Sequence, residues 1–373
     1  MESAGSGQNY LAILHKNAGP LLDGRRSKRR CLPVRGEARY KRHGKRLRRT
    51  ASDGDSLTSA ALRMGKRHWT ATLACSAFAL ALSVCGLSAG TADDGSLARL
   101  GPPDAPVKLF YTDEGTGAPV LLIHGFGTNT FTWRHIAPDL AQDHRVIAVD
   151  LKGFGKSDKP LDERYAAADQ AELLTQLIVD RDLHDLTIVG HSFGGGIALL
   201  LALDADDRLK GRIAKLVLLD TIAYAQTIPT FFKMLDMPVV SQIGVRAVPS
   251  SVQVEVALKI AYFDDSKIDA AEVDAYSQPL ETAEGKHAMI HSARQIVPPD
   301  LDIISARYKS ITLPALILWC DHDRIVPLDV GIKLRRTMPN SKLRIVNECG
   351  HMPQEEQPEA VLNQIRLFLA DKD

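Results

Sequence analysis

Cysteine is scarce in this chain: 5 in 373 residues, of which only Cys320 and Cys349 lie beyond residue 85. So thin a set excludes a disulfide-dense miniprotein. Aromatic residues make up 6% of the chain, and no collagen-like repeat or other internal repeat occurs. No cluster of His, Cys and carboxylates has metal-ligand spacing. No Gly-x-Gly-x-x-Gly opens a strand–helix unit, and there is no P-loop, so the sequence implies neither a metal nor a cofactor. What remains is a globular composition, 45% hydrophobic and 24% charged, long enough for one large domain or two ordinary ones.

Charge of one sign also looks absent, with 46 Lys and Arg against 45 Asp and Glu. The balance is local, however: residues 1–68 sum to +12 and residues 69–373 to −11. An acidic globule repels phosphates, so no nucleic-acid partner is expected for it. Residues 1–63 carry basic clusters such as Arg25-Arg26-Ser27-Lys28-Arg29-Arg30, with no apolar period. They read as a disordered basic arm, open to three interpretations: a nucleic-acid or membrane-surface tail, a transit-type peptide, or codons upstream of the true start. Residues 64–92 then run from a short basic segment (Met64-Gly65-Lys66-Arg67) through an apolar stretch to small residues at Ser88, Ala89 and Gly90. That order describes an export signal, cleaved after Gly90 or Ala92. The rivals are a retained membrane anchor through residues 70–90, a lipid anchor at Cys85, and an ordinary buried helix. The expected location is periplasmic or secreted; the alternative is a membrane-anchored protein with its globule outside the cytoplasm.

From about residue 100 short apolar runs alternate with helical patterns, which predicts βα units and a mostly parallel sheet. Val107–Thr112, Pro119–His124, Arg145–Asp150, Leu186–Gly190 and Ala214–Leu219 read as strands, and Ala168–Asp182 and Ile197–Leu203 as helices. The rhythm breaks over 222–308, where amphipathic, proline-punctuated pieces predict a helical insertion. It resumes with a strand at Ala315–Trp319, a helix at Leu328–Thr337, a strand at Lys342–Asn347 and a helix at Pro358–Leu369. The core is thus expected from 100–221 and 309–373.

Gly190-His191-Ser192-Phe193-Gly194 fits Gly-x-Ser-x-Gly between a strand and a helix, the context in which a sharp turn presents a serine nucleophile above a sheet. The backbone N–H groups of Phe193 and of Phe126, in His124-Gly125-Phe126-Gly127, are candidates for an oxyanion hole. A serine needs a base. Downstream lie His287, His291, His322 and His351, and His351, just after the last strand, fits the chain order of such sites best.

These motifs resemble the α/β-hydrolase superfamily, in its capped branch of esterases, carbon–carbon bond hydrolases and cofactor-free haloperoxidases. The resemblance also rests on Asp150-Leu151-Lys152-Gly153-Phe154-Gly155-Lys156-Ser157, Trp319-Cys320-Asp321-His322-Asp323 and Gly350-His351-Met352-Pro353, and covers about 104–371. It implies an eight-stranded, mostly parallel sheet flanked by helices, with 222–308 as a cap over the site. The family's acid lies four residues past the Trp, which gives Asp323, with Asp321 as competitor. It gives the Asp150–Ser157 loop no catalytic role. Epoxide hydrolases and dehalogenases carry Asp where this chain has Ser192, which disfavours those activities. The implied function is a serine hydrolase of carboxylic esters, its partner a small-molecule ester or related carbonyl compound. Carbon–carbon bond hydrolysis, perhydrolysis or haloperoxidation on the same triad are alternatives, and a non-catalytic binding protein is the reading from another class. One departure stands out: Cys320 replaces the family's usual glycine. In this fold it would lie on a loop adjacent to that of Cys349, and a disulfide between them would clamp the acid loop to the base loop.

Overall fold

The computed structural model describes residues 95–203, 208–226 and 247–371. The basic arm (1–63) and the signal or anchor (64–92) lie outside the described residues, as does 227–246 of the insertion. No helix among the described residues is long and apolar enough to cross a membrane.

Eight strands form one sheet in the order β1-β2-β4-β3-β5-β6-β7-β8. They are β1 (Ser96–Leu100), β2 (Val107–Glu114), β3 (Pro119–Ile123), β4 (Arg145–Val149), β5 (Leu186–His191), β6 (Ile213–Leu219), β7 (Ala315–Cys320) and β8 (Ser341–Val346). β2 pairs antiparallel with β1 and with β4, and every other pairing is parallel. β1 escaped the sequence reading. It is an edge strand whose exposed, buried alternation covers five residues and carries no long apolar run. By contrast β5 and β7 are buried at every position, as expected of central strands covered on both faces.

Helices α1 (Ala167–Asp180) and α2 (Phe193–Leu203) connect the central strands. Between β6 and β7 the described chain is helical: α3 (Ser250–Ala261), α4 (Ala270–Ser277), α5 (Ala283–Arg294) and the short α6 (Leu301–Ala306). Helices α7 (Leu328–Thr337) and α8 (Pro358–Leu369) complete the core. Leu121, Ile123, Ile188 and Leu218 pack on one sheet face with α1 and α2, and Val120, Leu122, Val189 and Val217 pack on the other with Val361 and Ile365 of α8. Burying such side chains stabilises the fold by roughly 1.5–3 kcal/mol each.

The strand order reverses between β3 and β5: the chain steps from β3 outward to β4, then returns to β5 on the opposite side. Open parallel sheets leave a crevice at the carboxyl ends of such strands, where ligands bind. The loops after β3 and β5, carrying Phe126 and Ser192, both start there.

Candidate active site

Ser192 immediately follows β5 and has φ +51°, a left-handed conformation that few non-glycine residues adopt. The turn is held from both sides. The Ser192 N–H donates to the Leu219 carbonyl at 2.9 Å, and its own carbonyl accepts from Ile222 at 3.2 Å. It is also tight: a Cβ on Gly194 would stand 2.3 Å from the carbonyl oxygen of Ile123. The small residues of the motif therefore let α2 start directly under β3. Phe193 is the first residue of α2, so its N–H has no partner within the helix and points where a helix N-terminus favours negative charge.

The loop after β3 comes against this turn; a Cβ on Gly125 would lie 3.3 Å from that of Ser192. Phe126 and Ser192 line one cavity together. His124 fixes the loop. Its Nε2 accepts the Leu151 N–H at 3.0 Å and its Nδ1–H meets the Gly125 carbonyl at 2.7 Å. Burial holds its pKa below the usual value, so the ring is the neutral, bridging form. The Asp150–Ser157 loop is built likewise for support: the Asp150 carboxylate accepts the N–H groups of Thr130 and Lys156, both at 2.7 Å.

The sequence offered four histidines. His351 alone of these meets Ser192, its Nε2 2.9 Å from Ser192 Oγ. Its Nδ1 lies 2.7 Å from Asp323 Oδ2. The other Asp323 oxygen accepts the N–H groups of Ile325 and Val326 at 2.7 and 2.9 Å. With Asp323 as acceptor, His351 carries its proton on Nδ1 and offers Nε2 to the serine hydroxyl. Asp321 instead receives His322 at 2.7 Å and the Cys349 N–H at 3.3 Å. His287 contacts the Asp162 carbonyl and stacks on His291 within the insertion.

Cys320 and Cys349 are fully buried and joined as a disulfide, with Cα atoms 4.9 Å apart. The same two loops are tied by the His322 N–H to the Cys349 carbonyl at 3.0 Å.

Three further residues shape the site without a sequence signal of their own. His191 Nε2 lies 2.7 Å from the His351 carbonyl; desolvation first, then the nearby His351, press its pKa well below the ordinary value. Glu356 accepts the N–H groups of Gly350 and of Phe263, both at 2.7 Å, while the His351 N–H donates to Ala261 at 2.6 Å. The end of α3 and the His351 loop are thereby one hydrogen-bonded unit. Asp220, after β6, is wholly buried beside Asp323 and His351; ligand atoms of the three lie within 4.8 Å of one another. A cation there would have to displace the His351–Asp323 hydrogen bond.

Two cavities meet at Ser192. One, of about 260 Å³, is lined by Gly196, Leu200, Ile222, Tyr224, Ile304 and Tyr308 among others. The second, of about 130 Å³, includes Phe126, Val254, Leu258, Met289 and His351. Among the described residues, neither lining includes Lys, Arg, Asp or Glu.

Residues 120–364 match the Alpha/beta hydrolase family. The chain is 29% identical to the uncharacterised hydrolase YugF of Bacillus subtilis over 70% of its own length and 94% of that protein. It is 29% identical to a 2-hydroxymuconate semialdehyde hydrolase of Pseudomonas sp. strain CF600, over 72% and 93% respectively. Among solved structures, a thermophilic esterase from Thermogutta terrifontis superposes with TM-score 0.61 at 25% identity, covering 74% of this chain and 98% of that one.

Proposed function

Given that the chain belongs to the alpha/beta hydrolase family, we propose that it hydrolyses neutral carboxylic esters through an acyl-enzyme on Ser192. The observation that carries this reading is the unbroken hydrogen-bond chain from Ser192 Oγ through His351 to Asp323. In it, His351 takes the serine proton as Ser192 attacks the ester carbonyl, and Asp323 stabilises the imidazolium formed. The N–H groups of Phe126 and Phe193 receive the oxyanion, each contributing about 3 kcal/mol to the transition state. Water then releases the acyl group by the reverse roles.

The direction of the substrate follows from the proton. The leaving alcohol must collect it from His351 Nε2, so the alcohol belongs in the smaller cavity, which His351 lines. The acyl chain then occupies the larger one, against Leu200, Ile222 and Ile304. Apolar linings favour uncharged groups on both sides.

A second reading, carbon–carbon bond hydrolysis, is favoured by the likeness to 2-hydroxymuconate semialdehyde hydrolase. The substrate that name gives is a carboxylate, and the described linings offer no cation to hold one. The test is a panel of p-nitrophenyl esters from acetate to palmitate, run with wild type and Ser192→Ala. Turnover lost in the variant supports the esterase. A folded wild type idle on every ester, yet active on a dienoate ketone, would transfer the assignment to the second reading.

A further inference from the structure

The carboxyl group of Asp220 is not used by the proposed reaction, yet it is buried where an extra acid is costly. Asp220 is fully buried, its backbone has φ +41°, and its side chain lies against the loops after β7 and β8. Its Oδ1 accepts the Cys320 N–H at 3.0 Å. Its Oδ2 is buried and receives no N–H or O–H donor. The titratable groups facing it are Asp323 from the loop after β7, His351 from the loop after β8 and, farther off, Glu356. Two buried carboxylates this close repel each other strongly, so the pair retains a proton. Asp323 has no room for it, because both its oxygens already accept N–H donors. The proton therefore belongs on Asp220 Oδ2. Burial first, and Asp323 second, push the Asp220 carboxyl well above the usual carboxylate range, in accord with that placement.

We propose that Asp220 is a positioning residue of this site: a neutral carboxylic acid that gives a hydrogen bond to the Asp323 carboxylate and so tempers the basicity of His351. Asp220 lines neither of the two cavities that meet at Ser192 and acts through Asp323. The donor spreads the Asp323 charge, which weakens its pull on the imidazolium. The inference rests on the reading of Ser192, His351 and Asp323 as the reacting system.

The test uses the full chain and does not depend on turnover. Protonation is read from the infrared difference between wild type and Asp220→Asn at pH 8, which should contain the carbonyl stretch of a protonated acid; its absence would overturn the proposal. Basicity is read from the titration of the His351 ring by NMR of ¹⁵N-histidine-labelled protein. Asp220→Ala, which removes the donor, should raise the His351 pKa by about one pH unit. Asp220→Asn, which keeps a donor, should leave it near wild type. A fall in Asp220→Asn would mean that Asp220 was charged, and no change in Asp220→Ala would mean that its role is packing alone; either overturns the proposal. If Asp220→Ala does not fold, the infrared band and Asp220→Asn still decide. Labelling of Ser192 by diisopropyl fluorophosphate tests the hydrolase reading separately: an inert Ser192 would sink that reading and leave the Asp220 result standing.

Discussion

His191 Nε2 lies 2.7 Å from the carbonyl oxygen of His351: the residue that precedes the proposed nucleophile holds the backbone of the proposed base. The ring is fully buried and kept neutral by desolvation, so it serves here as an N–H donor and not as an acid or base. We predict that His191→Ala lowers kcat/KM by about 10- to 100-fold through a displaced His351. His191→Gln, with a donor near the same place, should recover part of that loss. Steady-state kinetics on a p-nitrophenyl ester check both.

Asp321 and Asp323 are separated by one residue but have different partners. We predict that Asp323→Asn, which leaves His351 in the wrong tautomer, lowers kcat by about 10⁴-fold. Asp321→Asn should stay within a few-fold of wild type. Equal losses in the two variants would refute the assignment of the acid.

The Cys320–Cys349 bond closes a loop with a sequence separation of 29. In the chain-entropy account, a crosslink of that span stabilises by about 3–4 kcal/mol. We expect intact mass to rise by two hydrogens on reduction, and the Cys320→Ser/Cys349→Ser variant to melt several degrees lower. A free-thiol assay that finds both sulfurs reactive in unreduced, denatured protein would contradict the pairing.

Glu272 of α4 is buried against the core, where Tyr262 donates to it at 2.6 Å and Arg134 approaches to 4.0 Å. Desolvation, then the neighbouring Glu355, raise its pKa from 4.5 to about 8, with Arg134 opposing. The folded protein thus binds this proton more tightly than the unfolded chain does. Its contribution to stability is present below pH 4.5 and falls as pH rises toward 8. Glu272→Gln should remove that fall, giving a flatter profile of Tm against pH and a higher Tm than wild type near pH 8. Differential scanning calorimetry across that range decides.

Leu200 lines the larger cavity, assigned above to the acyl chain. We predict that Leu200→Trp leaves acetate hydrolysis nearly unchanged and lowers hydrolysis of long-chain esters by at least about tenfold, the scale on which a few methylenes matter. A loss confined to bulky alcohols would reverse the assignment of the two cavities.

The legible parts of the fold were those in which local pattern and burial agree. Pro119–Ile123 and Ala315–Trp319 are uninterrupted apolar runs because both sheet faces are covered, and the strands stand where the runs do. Ser192, Asp323 and His351 could be nominated because each follows a strand within a recognisable motif. β1 was not legible, since a five-residue edge strand has little burial to write into its pattern. Asp220 looked like an ordinary strand-ending residue. Its significance depends on the parallel pairing of β6 with β7 and β7 with β8, which brings the ends of three distant segments together. Glu356 and His191 were hidden for the same reason: their partners lie 93 and 160 residues away in sequence.

The hydrogen bonds from His351 to Ala261, and from Gly350 and Phe263 to Glu356, tie the end of α3 in the insertion to the loop of the proposed base. On the proposed mechanism, opening and reactivity would exclude each other along this edge. A movement that lifted residues 261–263 would strip the His351 N–H of its acceptor while leaving Gly350 on Glu356, so substrate held in an open form would meet a misplaced imidazole. A chimera bearing another relative's insertion would inherit that dependence, and needs a carbonyl in place of that of Ala261 before any change in its pocket can be read as a change in specificity.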